Sequence, residues 1–276
     1  MGKAFLVAIL IVYTAQAQIS YSGTFVIIDT TKDKVVIAAD SRVGVPGIDV
    51  PPNDDYCKIS TFHDKIVFTA AGISEFFGSN FPFNPLWSNI SVLKDSIHAV
   101  GANVNMNAVA EEWERRMVLN WWLAYTKNPH GVRAIAAQGI FVMAFWATID
   151  DTESTPVERL SMIEWNEGMP IPIVVTHSAH IPVYCSDCGF VGHQFCGLGD
   201  IQVMVKTCRS KTLYWQAWRA SFSVRNIPEW NIASDFVAFT EKYSPGHVGG
   251  AIDILELDKS GIHWPAKKQN CPESQD

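Results

Sequence analysis

The chain has 276 residues and a net charge of −7, with 48 % hydrophobic and 18 % charged residues. Such a length and composition suit one large domain with a sizeable core and exclude a disordered chain. The acidic balance and the lack of any Lys/Arg cluster exclude a nucleic-acid partner, because phosphate binding needs a basic face.

The first residues read as a secretory signal. Lys3 gives the positive start, Ala4 to Thr14 form an apolar run of 11 residues, and Ala15-Gln16-Ala17 supplies a small-x-small cleavage pattern. A run of that length is too short for a stable membrane anchor, which needs about 18 to 20 residues. The expectation is a signal peptide over residues 1–17 and a secreted or periplasmic protein.

Two apolar stretches follow, Thr24 to Asp29 and Val35 to Ala39, joined by the polar turn Thr30 to Lys34. They predict a β-hairpin. Gly44 to Asp55 reads as a loop, Lys65 to Ala71 as a strand ending at Gly72, and Phe76 to Trp87 as irregular. Asn107 to Tyr125 predicts a long helix capped by Asn105 or Asn107. Its stripe of Val109, Trp113, Met117, Trp121 and Leu123 has helical spacing and reads as core rather than as a cofactor box. Gly139 to Ile149 and Arg159 to Trp165 read as strands around an acidic turn. Ile201 to Phe222 and Asn231 to Tyr243 read as helices, and Gly249 to Leu257 with Ile262 to Trp264 as a closing hairpin. Strands and helices come in blocks, which indicates an α+β fold rather than alternating βαβ units.

Six cysteines, Cys57, Cys185, Cys188, Cys196, Cys208 and Cys271, suit an oxidising compartment, and their pairing stays open among 15 arrangements. Cys185, Cys188, His193 and Cys196 also form a set that zinc accepts, but disulfides are the better reading in an exported chain. His63, His98, His130, His177, His180 and His263 show no metal-ligand spacing. No phosphate-binding glycine loop is present, and no cofactor or metal is implied. Asn89-Ile90-Ser91 is a glycosylation sequon.

Three segments carry chemistry together: Gly23-Thr24, Ala38-Ala39-Asp40-Ser41-Arg42, and Lys58 with Ala70-Ala71-Gly72. They resemble the β subunits of the proteasome and related bacterial peptidases, a family of N-terminal-nucleophile (Ntn) hydrolases. In that family a Gly–Thr bond is cut autocatalytically and the freed threonine is the nucleophile. Asp40 lies 16 residues after Thr24, the family interval, in the family's Ala-Asp-Ser-Arg context. Lys58 lies 18 after Asp40, two more than the family's 16, which implies a two-residue insertion within Pro46 to Pro52. Gly72 lies 14 after Lys58, as the family's oxyanion glycine does, and Gly249-Gly250-Ala251 is similar to the family's late Gly-Gly strand. The resemblance covers the first third and the C-terminal strand; between roughly residues 76 and 190 it rests on element pattern alone.

The resemblance implies a four-layer αββα sandwich spanning residues 24–276, with residues 18–23 as a short propeptide. It implies autocleavage between Gly23 and Thr24, catalysis by Thr24, Asp40 and Lys58, and an oxyanion donor at Gly72. Ala70, with Gly44 and Ser74, falls in the implied substrate pocket, and the small Ala70 implies room for bulky apolar side chains. The implied partner is a peptide or other amide substrate, and a homo-oligomer stays open because family members form rings.

The chemistry is coherent. A threonine hydroxyl needs a nearby base. At a chain start its own α-amine serves, with a reference pKa of about 7.7 to 8.0. Lys58 would favour the alkoxide, Asp40 would offset the burial of Lys58, and Gly72 N–H would donate to the oxyanion. The chain also departs from the pattern. Gly197-Leu198-Gly199 has leucine where family members carry a serine, and Pro245 and Val248 stand where an aspartate and a serine precede the Gly-Gly; Ser244 and His247 are the nearest polar residues. A catalytically silent Ntn-fold scaffold or binding subunit is the alternative.

Overall fold

The computed structural model describes residues 20–21, 25–44, 53–77, 85–101, 104–127, 129–136, 142–150, 152, 154–164, 173–178, 185–186, 188, 190, 192–199, 201–209, 216 and 229–272. The N-terminal half begins with strands β1 (Ser20–Tyr21), β2 (Phe25–Thr30), β3 (Lys34–Ala39), β4 (Ile59–Phe62), β5 (Ile66–Gly72), β6 (Glu75–Phe77) and β7 (Pro85–Ser88). Helices α1 (Asn89–Val100), α2 (Met106–Lys127) and α3 (Pro129–Ala136) follow. Then come β8 (Val142–Ile149), β9 (Pro156–Glu164), β10 (Ile173–Ser178), β11 (Cys185–Ser186) and β12 (Gln194–Gly199). Helices α4 (Gln202–Arg209) and α5 (Glu229–Tyr243) lead to the hairpin β13 (Asp253–Asp258) and β14 (Gly261–Ala266). The fold is α+β.

The strands form a five-stranded sheet ordered β10-β9-β8-β5-β4 and a six-stranded sheet ordered β11-β12-β2-β3-β13-β14, with a small sheet β1-β6-β7. Every pairing is antiparallel, so side chains alternate between two faces. Val26, Ile28, Val35, Ile37 and Ala39 of one sheet share a core with Val67, Ala71, Met143, Phe145 and Ala147 of the other. The intervening residues point the opposite way. Phe25, Ile27, Val36 and Ala38 meet Met204 of α4 and Ile232, Ala233, Phe236 and Val237 of α5. Phe68, Ala70, Val142, Ala144 and Trp146 meet Leu93 of α1 and Val109, Trp113 and Met117 of α2. Burial on both faces explains why these strands read as unbroken apolar runs rather than alternating ones.

Several sequence expectations are revised. The irregular stretch Phe76 to Trp87 holds the paired strands β6 and β7. β4 and α1 carry no clear periodic signal; α1 is set instead by a reciprocal cap in which Ser88 and Ser91 exchange side-chain and backbone bonds. Of the two candidate caps for α2, Asn105 accepts the Ala108 N–H at 2.9 Å, whereas Asn107 Oδ1 accepts from Arg159. Leu123 belongs to the exposed side of α2 with Leu119 and Trp122, not to the core stripe. Helix α4 ends at Arg209, and most of the expected run to Phe222 lies outside the described residues. The signal peptide lies outside them too.

Disulfides join Cys57 to Cys271 and Cys188 to Cys208. Cys196 is also disulfide-bonded, and Cys185 stands opposite it across β11 and β12. The zinc alternative is thereby withdrawn, and His193 instead places Nδ1 3.0 Å from the buried Asp29 carboxylate. The sequon asparagine is buried, with its amide donating to the Ile73 carbonyl at 3.0 Å, so it is closed to a glycosyltransferase in the folded chain. Among the described residues no helix is long and apolar enough to cross a membrane.

Candidate active site

The register of the six-stranded sheet brings four strand termini together at one end of it. β2 begins and β3 ends there, since Val26 pairs with Ala39. β12 finishes there, with Gly199 opposite Phe25, and β13 starts there, with Asp253 opposite Ala39. In the other sheet β4 begins beside Thr69, so Lys58 enters at the end where β5 finishes at Gly72.

Asp40 is the first residue past β3, and it is fully buried. Its Oδ1 accepts the Phe25 N–H at 2.8 Å and the Lys58 ammonium at 2.6 Å. Its Oδ2 accepts the Gly249 N–H at 3.0 Å and the Arg42 N–H at 3.2 Å. Four donors give this carboxylate the compensation that burial of a charge demands. The Phe25 amide is the peptide bond immediately after Thr24, so Asp40 ties the backbone next to the proposed nucleophile to Lys58.

Lys58 is equally enclosed, its side chain 1 % exposed, and it also donates to the Arg42 carbonyl at 2.6 Å. Burial lowers its pKa to about 8, against the opposing pull of the Asp40 charge and hydrogen bond; Lys268 adds to the lowering and Asp54 opposes it. Lys58 is therefore poised to change charge near physiological pH.

The loop between these two residues is closed at its neck. Val43 and Asn53 exchange backbone bonds of 2.8 and 2.9 Å. Beside them Arg42 grips Asp54 through two bonds of 2.7 Å, which pushes the Asp54 carboxyl down and the guanidinium up. The insertion expected within Pro46 to Pro52 lies outside the described residues. The Gly249 carbonyl accepts from Ser41 N–H and Arg42 N–H, and the Ser41 hydroxyl donates to the Ala251 carbonyl. Gly249 and Gly250 thus precede β13 rather than open it, correcting the expected strand start. Gly250 has φ of +78°, and a Cβ there would lie 2.8 Å from the Asp54 carbonyl oxygen. Gly250→Ala is expected to destabilise the fold by about 1–3 kcal/mol, read as a lower melting temperature; an unchanged melt would show that this approach is not tight.

Gly72 ends β5 with φ of +95°, a conformation that suits glycine. Ser74 is buried and hydrogen-bonded to the Tyr56 phenol; burial raises the pKa of that phenol, and the Ser74 bond opposes the rise. Ala70 is 8 % exposed and belongs to the helix-facing core. Gly44 is half-buried beside the neck. Gly23 and Thr24 lie outside the described residues. Leu198 sits in the core between the sheets and Val248 in the core beneath α5, while the Pro245 carbonyl accepts from Arg42. No protein-family model matches this chain, and no curated protein does.

Sequence reasoning missed the Gly249 amide as a partner of Asp40, the Arg42–Asp54 clamp and the C-terminal strap. In that strap Lys268 donates at 2.7 Å to both the Tyr56 carbonyl and Asp253, and Cys271 is bonded to Cys57. The only sequence hint was a cysteine directly before Lys58. Among the described residues no cluster of His, Cys, Asp and Glu could hold a metal ion.

Proposed function

We propose that the chain is a secreted, autoprocessed threonine hydrolase with an Ntn-type four-layer αββα fold, cleaving peptide or other amide bonds through an ester on Thr24. One observation carries this reading: a buried Lys58–Asp40 pair whose carboxylate also holds the amide that follows Thr24. Helices on the outer face of each of two stacked sheets support the layering, and the disulfides suit an exported protein.

In this mechanism the Thr24 hydroxyl attacks the substrate carbonyl carbon and passes its proton to the Thr24 α-amine. The Lys58 charge favours the developing alkoxide, and the Gly72 N–H is the proposed oxyanion donor. Asp40 is a positioning residue for Lys58. The leaving amine takes the proton, and water hydrolyses the ester to regenerate the hydroxyl. The intact mass of the exported protein tests the reading. It should correspond to a chain beginning at Thr24, and a chain beginning at Gln18 sinks the reading.

The pH profile gives a second check. Activity should fall on the acid side as the α-amine protonates, and on the basic side as Lys58 loses its charge through about 8. Lys58→Arg keeps a cation and should move the basic limb upward even though the rate drops. An unmoved limb would assign that titration elsewhere.

A silent scaffold is the second reading, favoured by the buried apolar Leu198 and Val248. It predicts an uncut chain and no acylation of Thr24 by an electrophilic amide or ester probe.

A further inference from the structure

Residues 268–271 lie against the stretch that leads into Lys58 and hold it at successive positions. The Asn270 amide donates to the Asp55 carbonyl at 3.5 Å, the Lys268 ammonium donates to the Tyr56 carbonyl at 2.7 Å, and Cys271 is bonded to Cys57. The Cys271 N–H donates to the Lys268 carbonyl at 3.2 Å, which folds the strap so that both grips fall on neighbouring residues. The same strap reaches the other member of the charged pair. Asp253 opens β13 opposite Ala39, the residue before Asp40. One Asp253 oxygen accepts the Lys268 N–H at 2.8 Å, and the other lies 2.7 Å from the Lys268 ammonium. Both side chains are enclosed, Lys268 at 8 % and Asp253 at 2 % exposure. One ammonium thus joins the backbone just before Lys58 to the strand beside Asp40.

We infer that this strap positions Lys58 for the reaction at Thr24, with Lys268 as the positioning residue and the Cys57–Cys271 bond as its lock. The inference rests on the reading of Lys58 as the group that favours the Thr24 alkoxide, and it adds what sets the place and charge of that group. Asp40 and the Arg42 carbonyl fix the ammonium tip of Lys58. The backbone from which that side chain starts is fixed from elsewhere: the Tyr56 N–H donates to the Ser41 carbonyl at 3.2 Å, and the strap holds the Tyr56 carbonyl. A buried ion pair such as Lys268–Asp253 is a poor device for stability alone, because apolar residues of the same volume often serve as well. Its value here is direction, since it aims one ammonium at a chosen carbonyl. The strap also acts on charge. Burial is the main cause of the lowered Lys58 pKa; Asp40 and Asp54 pull it back up, and Lys268 adds to the lowering. Of the other nearby charges, Arg42 is engaged with Asp54 and Glu75 acts on Tyr56. Removing the Lys268 charge also leaves Asp253 unopposed, and both changes favour the Lys58 ammonium.

The test is the rate at which a small β-lactone acylates Thr24 as a function of pH, followed by intact mass on the exported, matured protein. The Thr24 oxygen adds to the lactone carbonyl, the ring C–O bond breaks, and the Thr24 proton ends on the released alkoxide, so the whole probe stays attached. In the wild type the rate should fall on the basic side through about 8. Lys268→Met should move that limb upward by roughly half a pH unit and slow acylation at pH 7 about tenfold. Lys268→Arg, which keeps the charge, should leave the limb in place and regain most of the rate. Lys268→Met strands the Asp253 carboxylate, so Cys57→Ser with Cys271→Ser is measured beside it and decides the matter if Lys268→Met does not fold. Opening the lock frees the strap and should move the limb the same way. A strap that only stabilised the fold would lower the melting temperature in these variants and leave the limb where it is. An unmoved limb in either folded variant overturns the positioning role and leaves the hydrolase reading standing. A wild type in which Thr24 is never acylated overturns both.

Discussion

Thr24→Ala is expected to yield an exported chain that begins at Gln18 and hydrolyses no amide substrate, with kcat/KM down by roughly three or more powers of ten. The size of the effect follows from the chemistry. Alanine has no atom to form the ester, and under the proposed mechanism the α-amine is never freed because the same hydroxyl would cut the chain. Processing and turnover therefore fail together. Thr24→Ser, which keeps a hydroxyl, should restore cleavage after Gly23 and part of the activity. A Thr24→Ala protein that matures normally would mean another protease makes the cut, and Thr24 would lose its claim to autocatalysis.

Asp40→Asn is expected to cost about 3–5 kcal/mol of stability, because it leaves the Lys58 ammonium buried without a counter-charge. It also turns an amide donor toward N–H groups of Phe25, Arg42 or Gly249 that now have an acceptor. A fall in melting temperature on the order of 10 °C should result. The pH dependence identifies the cause. The folded-state pKa of Lys58 is already lowered, to about 8, and removing Asp40 lowers it further. A lysine with a depressed folded pKa binds fewer protons folded than unfolded, so stability rises with pH through the window between the two values. The variant should thus be weakest at low pH and recover as the pH climbs through the new folded pKa. Adding Lys58→Met to the variant should restore stability, since no charge is then stranded. If the double variant melts lower still, the loss comes from the backbone amides and not from the ion pair.

The strand pattern was legible in the residues because apolar runs such as Phe25–Ile28 and Val35–Ala39 must bury both faces, and a sheet between two cores is the solution that does so. The hairpins β2–β3 and β13–β14 needed only local signals, a polar turn between two such runs. Asp40 and Lys58 were singled out by a resemblance, in interval and sequence context, to the proteasome β subunits. Their mutual contact was not, because a hydrogen bond at 2.6 Å depends on how two separate sheets stack. The third member of the contact is further still from any local pattern: Gly249 donates to Asp40 across 209 residues of chain. Strands β6 and β7 were hidden for a related reason. Strands of 3 and 4 residues are too short to show a period, and their pairing is recognised only once the neighbouring strand is in place. The resemblance in the sequence named the charged pair; stacking of the sheets buried it, lowered the Lys58 pKa and joined it to the amide after Thr24, because desolvation and backbone donors exist only in the folded chain.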